Sequence, residues 1–352
     1  MKSLAWKVKA SAPVMSYPVL YGRRCFVGRD DETVTALDTA SGRQLWQTQV
    51  VGTRALLTEI AVTADVLYVA GAKAVTAVDV HDGRVLWSVD RDAVTDAPLW
   101  DKPVAEQRAP TLTAVDEGVV VVRLKDVCLL DGRTGSVVWR TASPEYLIGP
   151  AAVDGTLVVT TTASGCRAWH RATGEALWSQ EVTLHPNNVG PAAVAQDSVY
   201  LGTGDGALVA LESRTGTLLW RTSAYAPVRQ RGKDIAASVM AAPVIFSGHI
   251  AYTTRFGGFA CHDRRTGKQN WLKILPTRDC PPSTRLNDRT VMTADDSSLG
   301  AWDLATGEKL WKLRTSRFRI SRLAVQDDLV CYATPRTVFA HHVPAPRATT
   351  DR

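Results

Sequence analysis

The chain has 352 residues, of which 45% are hydrophobic and 22% charged. This is enough apolar content to bury a large core, and it excludes a disordered or fibrous polypeptide. Forty-one Lys and Arg against thirty-five Asp and Glu leave a net charge of +6, which favours acidic partners without requiring nucleic acid. The amino-terminal stretch MKSLAWKVKASAPV has no apolar run of signal-peptide length, and nowhere do about 18 apolar residues follow one another. A cytoplasmic, membrane-free protein is therefore expected. The six cysteines (Cys25, Cys128, Cys166, Cys261, Cys280, Cys331) are widely spaced, without a CxxC or adjacent pair, and are read as reduced thiols, most of them buried.

A ten-residue phrase recurs along the chain. Its copies are LDTASGRQLW ending at Trp46, VDVHDGRVLW at Trp87, LDGRTGSVVW at Trp139 and WHRATGEALW at Trp178. LESRTGTLLW at Trp220, HDRRTGKQNW at Trp271 and WDLATGEKLW at Trp311 follow, and Trp6 in SLAWKVK is an eighth tryptophan without the preceding turn. Successive tryptophans lie 40, 41, 52, 39, 42, 51 and 40 residues apart, the period of one four-stranded propeller blade. Within a repeat, three alternating or β-branched runs precede the tryptophan strand, so each blade has strands A, B, C and D. The Thr-Gly or Asp-Gly before each D strand supplies a tight hairpin, and the Asp that ends strand C caps it. Asp38, Asp79, Asp131 and Asp303 are therefore assigned to structure.

The chain ends predict how the ring closes. Residues 320–343 contain A, B and C strands with no tryptophan strand after them, whereas Trp6 is a D strand with no blade before it. The expectation is an all-β, eight-bladed propeller of four-stranded antiparallel blades over residues 1–343. The amino-terminal strand completes the last blade, and a disordered tail spans 344–352.

The repeated phrase resembles the quinoprotein-like, or pyrroloquinoline-quinone-like, β-propeller family, whose repeats read ALD-x-x-TG-x-x-x-W. The resemblance covers nearly the whole chain. It implies a propeller and admits several functions: quinone-dependent dehydrogenases, a scaffold lipoprotein of the outer-membrane barrel assembly machinery, and sensor domains of actinobacterial kinases. A dehydrogenase of this family needs a metal-bound quinone on the axis with carboxylate and amide ligands, and typically an adjacent-cysteine disulfide. This sequence offers one evident axial carboxylate, Glu59, and no adjacent cysteines. It resembles the non-catalytic scaffold and sensor members more, and neither cofactor nor metal is expected.

The D-to-A connections of a propeller share one face around the channel mouth, where binding residues are expected. Two are long: DRDAVTDAPLWDKPVAEQRAP after Trp87 and TSAYAPVRQRGKDIAAS after Trp220. Aligned on Pro191, the A strands bring Glu59, Thr111, Pro150, Ala242, Pro282 and Ser321 to one level near the mouth, with Arg108, Asn188, Cys280 and Arg319 just above. The loops add Tyr146, His185, Arg229, Arg231, Lys233, Arg278, Arg317 and Trp100. Arginines around one concavity focus positive potential, so Arg108, Asn188, Arg319, Arg231, Lys233, Tyr146 and Trp100 are the candidate ligand-binding residues. The opposing reading pairs the arginines with Asp92, Asp101, Asp234 and Asp279. Lys309, Lys312, Arg314, Arg317, Arg319 and Arg322 form a basic run otherwise read as a solvated face. His341 and His342 alternate along one strand, which argues against a shared metal.

The expected function is a monomeric, non-catalytic scaffold that presents a basic loop face to an acidic protein or a small anionic molecule. The alternative is a cyclase, lyase or hydrolase acting on an anionic metabolite, with Glu59 or His185 moving the proton.

Overall fold

A computed structural model describes residues 3–50, 59–71, 74–90, 110–183, 189–223, 228–230, 233–235, 241–277, 283–295, 298–315 and 322–343. They form eight four-stranded antiparallel sheets and one two-stranded ribbon. The first blade is Val19–Tyr21, Arg24–Gly28, Thr33–Asp38 and Gln44–Gln49, and the next six repeat that order. In the eighth, Ala324–Gln326, Leu329–Thr334 and Thr337–His342 are completed by Ser3–Lys9. Ser3 pairs with His342 and Lys9 with Thr337, so the amino-terminal strand closes the ring as its tryptophan predicts. The innermost strands contact one another in succession around the whole circle. The 344–352 tail lies outside the described residues.

Each blade carries apolar residues on both faces because each face meets a neighbouring blade. The core is accordingly not one mass but eight clusters, one at each blade-to-blade interface. Phe26, Val34 and Ala36 of the first blade, for example, pack with Leu67, Val69 and Val78 of the second. Each buried aliphatic side chain contributes about 1.5–3 kcal/mol relative to exposure.

The repeated tryptophan joins blades. Trp46 donates Nε1–H to the carbonyl of Val80 at 3.1 Å, Trp87 to Gly132 at 3.0 Å and Trp271 to Leu304 at 2.8 Å, always in the hairpin of the following blade. The same bond leaves Trp6 for Thr39, Trp139 for Arg171, Trp178 for Ser213 and Trp220 for Arg264. The ring of each rests on the hairpin glycine. Gly83 has φ +81°, and a Cβ there would lie 2.7 Å from ring atoms of Trp46. Hence the glycine answers both to the turn and to the neighbouring indole.

The strand-C aspartates hold these hairpins. Asp131 Oδ1 accepts from the backbone N–H and hydroxyl of Thr134, each at 2.8 Å, and Asp38 does the same for Ser41. These bonds hold both carboxyls below their ordinary range. The structural reading of these residues agrees with the geometry.

The long connection after Trp220 contains a ribbon where sequence alone suggests only a loop. Val228–Gln230 pairs with Lys233–Ile235, with Val228 opposite Ile235.

Candidate functional site

In a blade whose strands run antiparallel, the D-to-A connections and B-to-C turns emerge on one face and the A-to-B and C-to-D turns on the other. Residues at the start of an A strand therefore stand at the mouth on the D-to-A side. Four blades contribute such residues to a single cavity of about 350 Å³. Tyr17 and Pro18 enter the first blade, Glu59 begins the A strand of the second, Thr284 lies at the start of the seventh and Arg322 precedes the eighth. Leu20, Ile60, Leu323 and Val325 add apolar walls.

Glu59 is half-buried, and burial raises its carboxyl above the ordinary range while the positive charge of Arg322 partly offsets this. Arg322 is exposed at the rim. Its guanidinium carbon lies 4.5 Å from the centroid of the Tyr17 ring, a cation–π shelf that orients it. Among the described residues Glu59 and Arg322 form no ion pair with each other or with another group. The cavity thus holds a carboxyl and a guanidinium that feel one another without forming an ion pair.

Of the residues singled out from sequence, Glu59 is in this cavity. Arg322 joins it from the basic run, there read as a solvated face. Tyr146 lies elsewhere, between the third and fourth blades, exposed, with Lys125 Nζ 5.1 Å from its ring centroid. Lys233 lies on the two-stranded ribbon opposite Gln230. Arg108, Asn188, Arg319, Arg231, Trp100 and His185 lie outside the described residues, as do Cys280, Arg278, Arg317, Asp92, Asp101 and Asp279. Thr111 ties the inner strands together, its hydroxyl donating to the Gly149 carbonyl of the next blade at 3.0 Å. Sequence reasoning missed Tyr17 and Thr284. By strand register Tyr17 stands in the first blade where Glu59 stands in the second and Pro191 in the fifth, so carrying the A-strand alignment into the first blade would have reached it.

Three other histidines make structural contacts. His341 is buried against Tyr332, whereas His342 is exposed with Nδ1 3.0 Å from an Asp328 oxygen. His262 is fully buried, accepting from Tyr252 and donating to the Gly267 carbonyl.

The described residues do not fit a metal-bound quinone. No three of their His, Cys, Asp and Glu side chains gather where a metal could sit, and the mouth cavity sets a guanidinium beside its single carboxylate where such a cofactor needs further oxygen donors. No step through a quinone is drawn for this site.

Tryptophan-stapled blades, closure by the first strand and a small polar cavity at the mouth define a β-propeller of the quinoprotein-like class. The family described as outer membrane protein assembly factor BamB matches residues 2–93 and 88–313. The chain belongs to this family of PQQ-like repeat propellers. It is 27% identical over 278 residues to the outer membrane protein assembly factor BamB of Burkholderia pseudomallei, covering 77% of this chain and 68% of that one. A stretch of 173 residues is 32% identical to the dehydrogenase subunit of a quinone alcohol dehydrogenase from Komagataeibacter europaeus, 44% of this chain but only 23% of the relative. The chain therefore spans less than a quarter of that subunit. In fold, it superposes on the crystal structure of BamB from Moraxella catarrhalis with a TM-score of 0.75 at 13% identity, covering 97% and 100% of the two chains. The quinohemoprotein alcohol dehydrogenase of Comamonas testosteroni gives 0.73 at 13% identity, covering 100% of this chain and 78% of the other.

Proposed function

We propose that this protein is a non-catalytic binding propeller, a monomeric ring that offers its D-to-A face and basic mouth to an acidic protein partner or a small anionic ligand. The observation that carries this reading is Arg322, exposed, oriented on Tyr17 and without a carboxylate partner among the described residues. An arginine so held loses little side-chain freedom when it meets an anion. The relatives, named as outer membrane protein assembly factors, support the same reading.

The test is binding of acidic decapeptides to the immobilised full chain. Affinity is expected to fall at least tenfold in Arg322→Glu and to weaken steeply with salt, while a neutral peptide of the same length binds far less. Equal binding of neutral and acidic peptides, or an unchanged Arg322→Glu, would overturn it. Fractionation of the source cells tests the cytoplasmic placement that accompanies it.

A second reading, acid–base chemistry on an anionic metabolite, draws on the raised carboxyl of Glu59 in the same cavity. It requires turnover that Glu59→Gln abolishes.

A further inference from the structure

We infer that the mouth cavity is a site for a free α-amino acid with an apolar side chain, its ammonium group received by Glu59 and its carboxylate by Arg322. This deepens the reading above and rests on it for the choice of the mouth as the binding surface.

Three features of the cavity carry the inference. First, it presents opposite charges that do not neutralise one another: Glu59 and Arg322 line the same space, yet form no ion pair. Two such groups are complemented by a ligand that brings both signs, with a separation of its own. A ligand with only a carboxylate would meet Arg322 but leave Glu59 without a partner. One with only an ammonium group would meet the converse problem.

Second, Arg322 has a resting place other than Glu59, its guanidinium carbon lying 4.5 Å from the centroid of the Tyr17 ring. The hydroxyl of Thr284, on the same wall system, is a further donor for a carboxylate oxygen. Third, Pro18, Leu20, Ile60 and Leu323 also line the space, and their side chains suit an aliphatic group. A volume of about 350 Å³ lies at the small end of ligand sites, fitting a single amino acid. A peptide terminus brings only one of the two charges at its α-carbon, so the paired charges select the free amino acid over a chain end.

The experiment is calorimetric titration of the full chain with L-leucine, with 4-methylpentanoate, which lacks the ammonium group, and with isoamylamine, which lacks the carboxylate. Leucine is expected to bind, with each one-charge analogue at least tenfold weaker. Glu59→Gln should weaken leucine relative to 4-methylpentanoate, and Arg322→Gln should weaken both leucine and the acidic peptide. No leucine binding at millimolar concentration would overturn the inference, as would 4-methylpentanoate binding as tightly as leucine. The analogue series on the unmodified protein decides this even where a variant fails to fold. Peptide binding without leucine binding defeats this inference alone, and leucine binding without peptide binding defeats only the acidic-partner reading.

Discussion

Ring atoms of Trp46 lie 2.7 Å from where a Cβ on Gly83 of the next blade would sit, and the indole Nε1 donates to the Val80 carbonyl of the same hairpin at 3.1 Å. One side chain thus uses its ring to read a glycine and its N–H to read a hairpin. The pairing recurs from Trp6 with Gly42 through Trp271 with Gly307, so the ring is held by a set of equivalent contacts between consecutive repeats.

Replacing Gly83 by alanine tests that contact. At φ +81° with indole atoms 2.7 Å from the new Cβ, the substitution combines left-handed strain with overpacking, an expected loss of about 3 kcal/mol. Gly22→Ala is the control, since Gly22 has φ +55° but nothing within 4 Å of a Cβ, and its cost should be only about 1 kcal/mol. Urea denaturation of both variants measures the difference, which belongs to the contacts of Trp46 and its strand neighbour Thr48 with Gly83. Equal losses would remove the inter-blade role assigned to that glycine.

Trp139→Phe keeps an aromatic ring but removes the 2.7 Å bond to the Arg171 carbonyl. That carbonyl loses a donor and the smaller ring leaves a gap, together worth about 2 kcal/mol. A chemical melt checks the value, and hydrogen exchange should localise the loosening to the third and fourth blades.

Stability should decline on mild acidification. Burial holds both His262 and His341 below the ordinary histidine value of 6.5, so both stay neutral in the fold while the unfolded chain takes up protons below that pH. Their contribution is fully present above 6.5 and is lost as pH falls from there toward the depressed folded values. Unfolding free energy measured across this window should therefore rise with pH. Replacing His262 by glutamine should flatten the slope, and an unchanged slope would assign it to other groups.

The five cysteines of the described residues are buried and unbridged. Burial pushes Cys128, Cys166 and Cys261 up to about 12, so they carry almost no thiolate at neutral pH. The Cys331 thiol, hydrogen-bonded to Cys25 across the closing seam, is raised further. Native protein should accordingly react with a thiol reagent at no more than one site, Cys280, and Cys280→Ser should abolish that reaction. Denaturant should expose the remaining five. Fast labelling of several thiols in the native state would contradict the packing of the blade interfaces.

How much was legible in advance differs between scaffold and site. The tryptophan and the glycine before it answer to contacts between adjacent repeats, and the aspartate ending strand C to its own hairpin, so all three recur at a nearly constant spacing that can be counted along the chain. The same logic exposed the closing strand, since Trp6 stood alone at one end and three strands lacked a tryptophan at the other. Glu59 was visible as the carboxylate where other repeats carry Pro, Thr or Ala.

What the sequence determined by itself was the number of blades, their strand order and the way the ring closes, because these depend on short-range hairpins and on identical contacts repeated between neighbours. Only the tertiary structure decided that Glu59 shares a cavity with Tyr17, Thr284 and Arg322. Those residues belong to the second, first, seventh and eighth blades, far apart along the chain, and they meet because closure of the ring sets its two ends side by side. No local periodicity encodes such a meeting. It follows from the curvature accumulated over all eight blades, which also turns Arg322 from one more member of a basic run into the cation at the mouth.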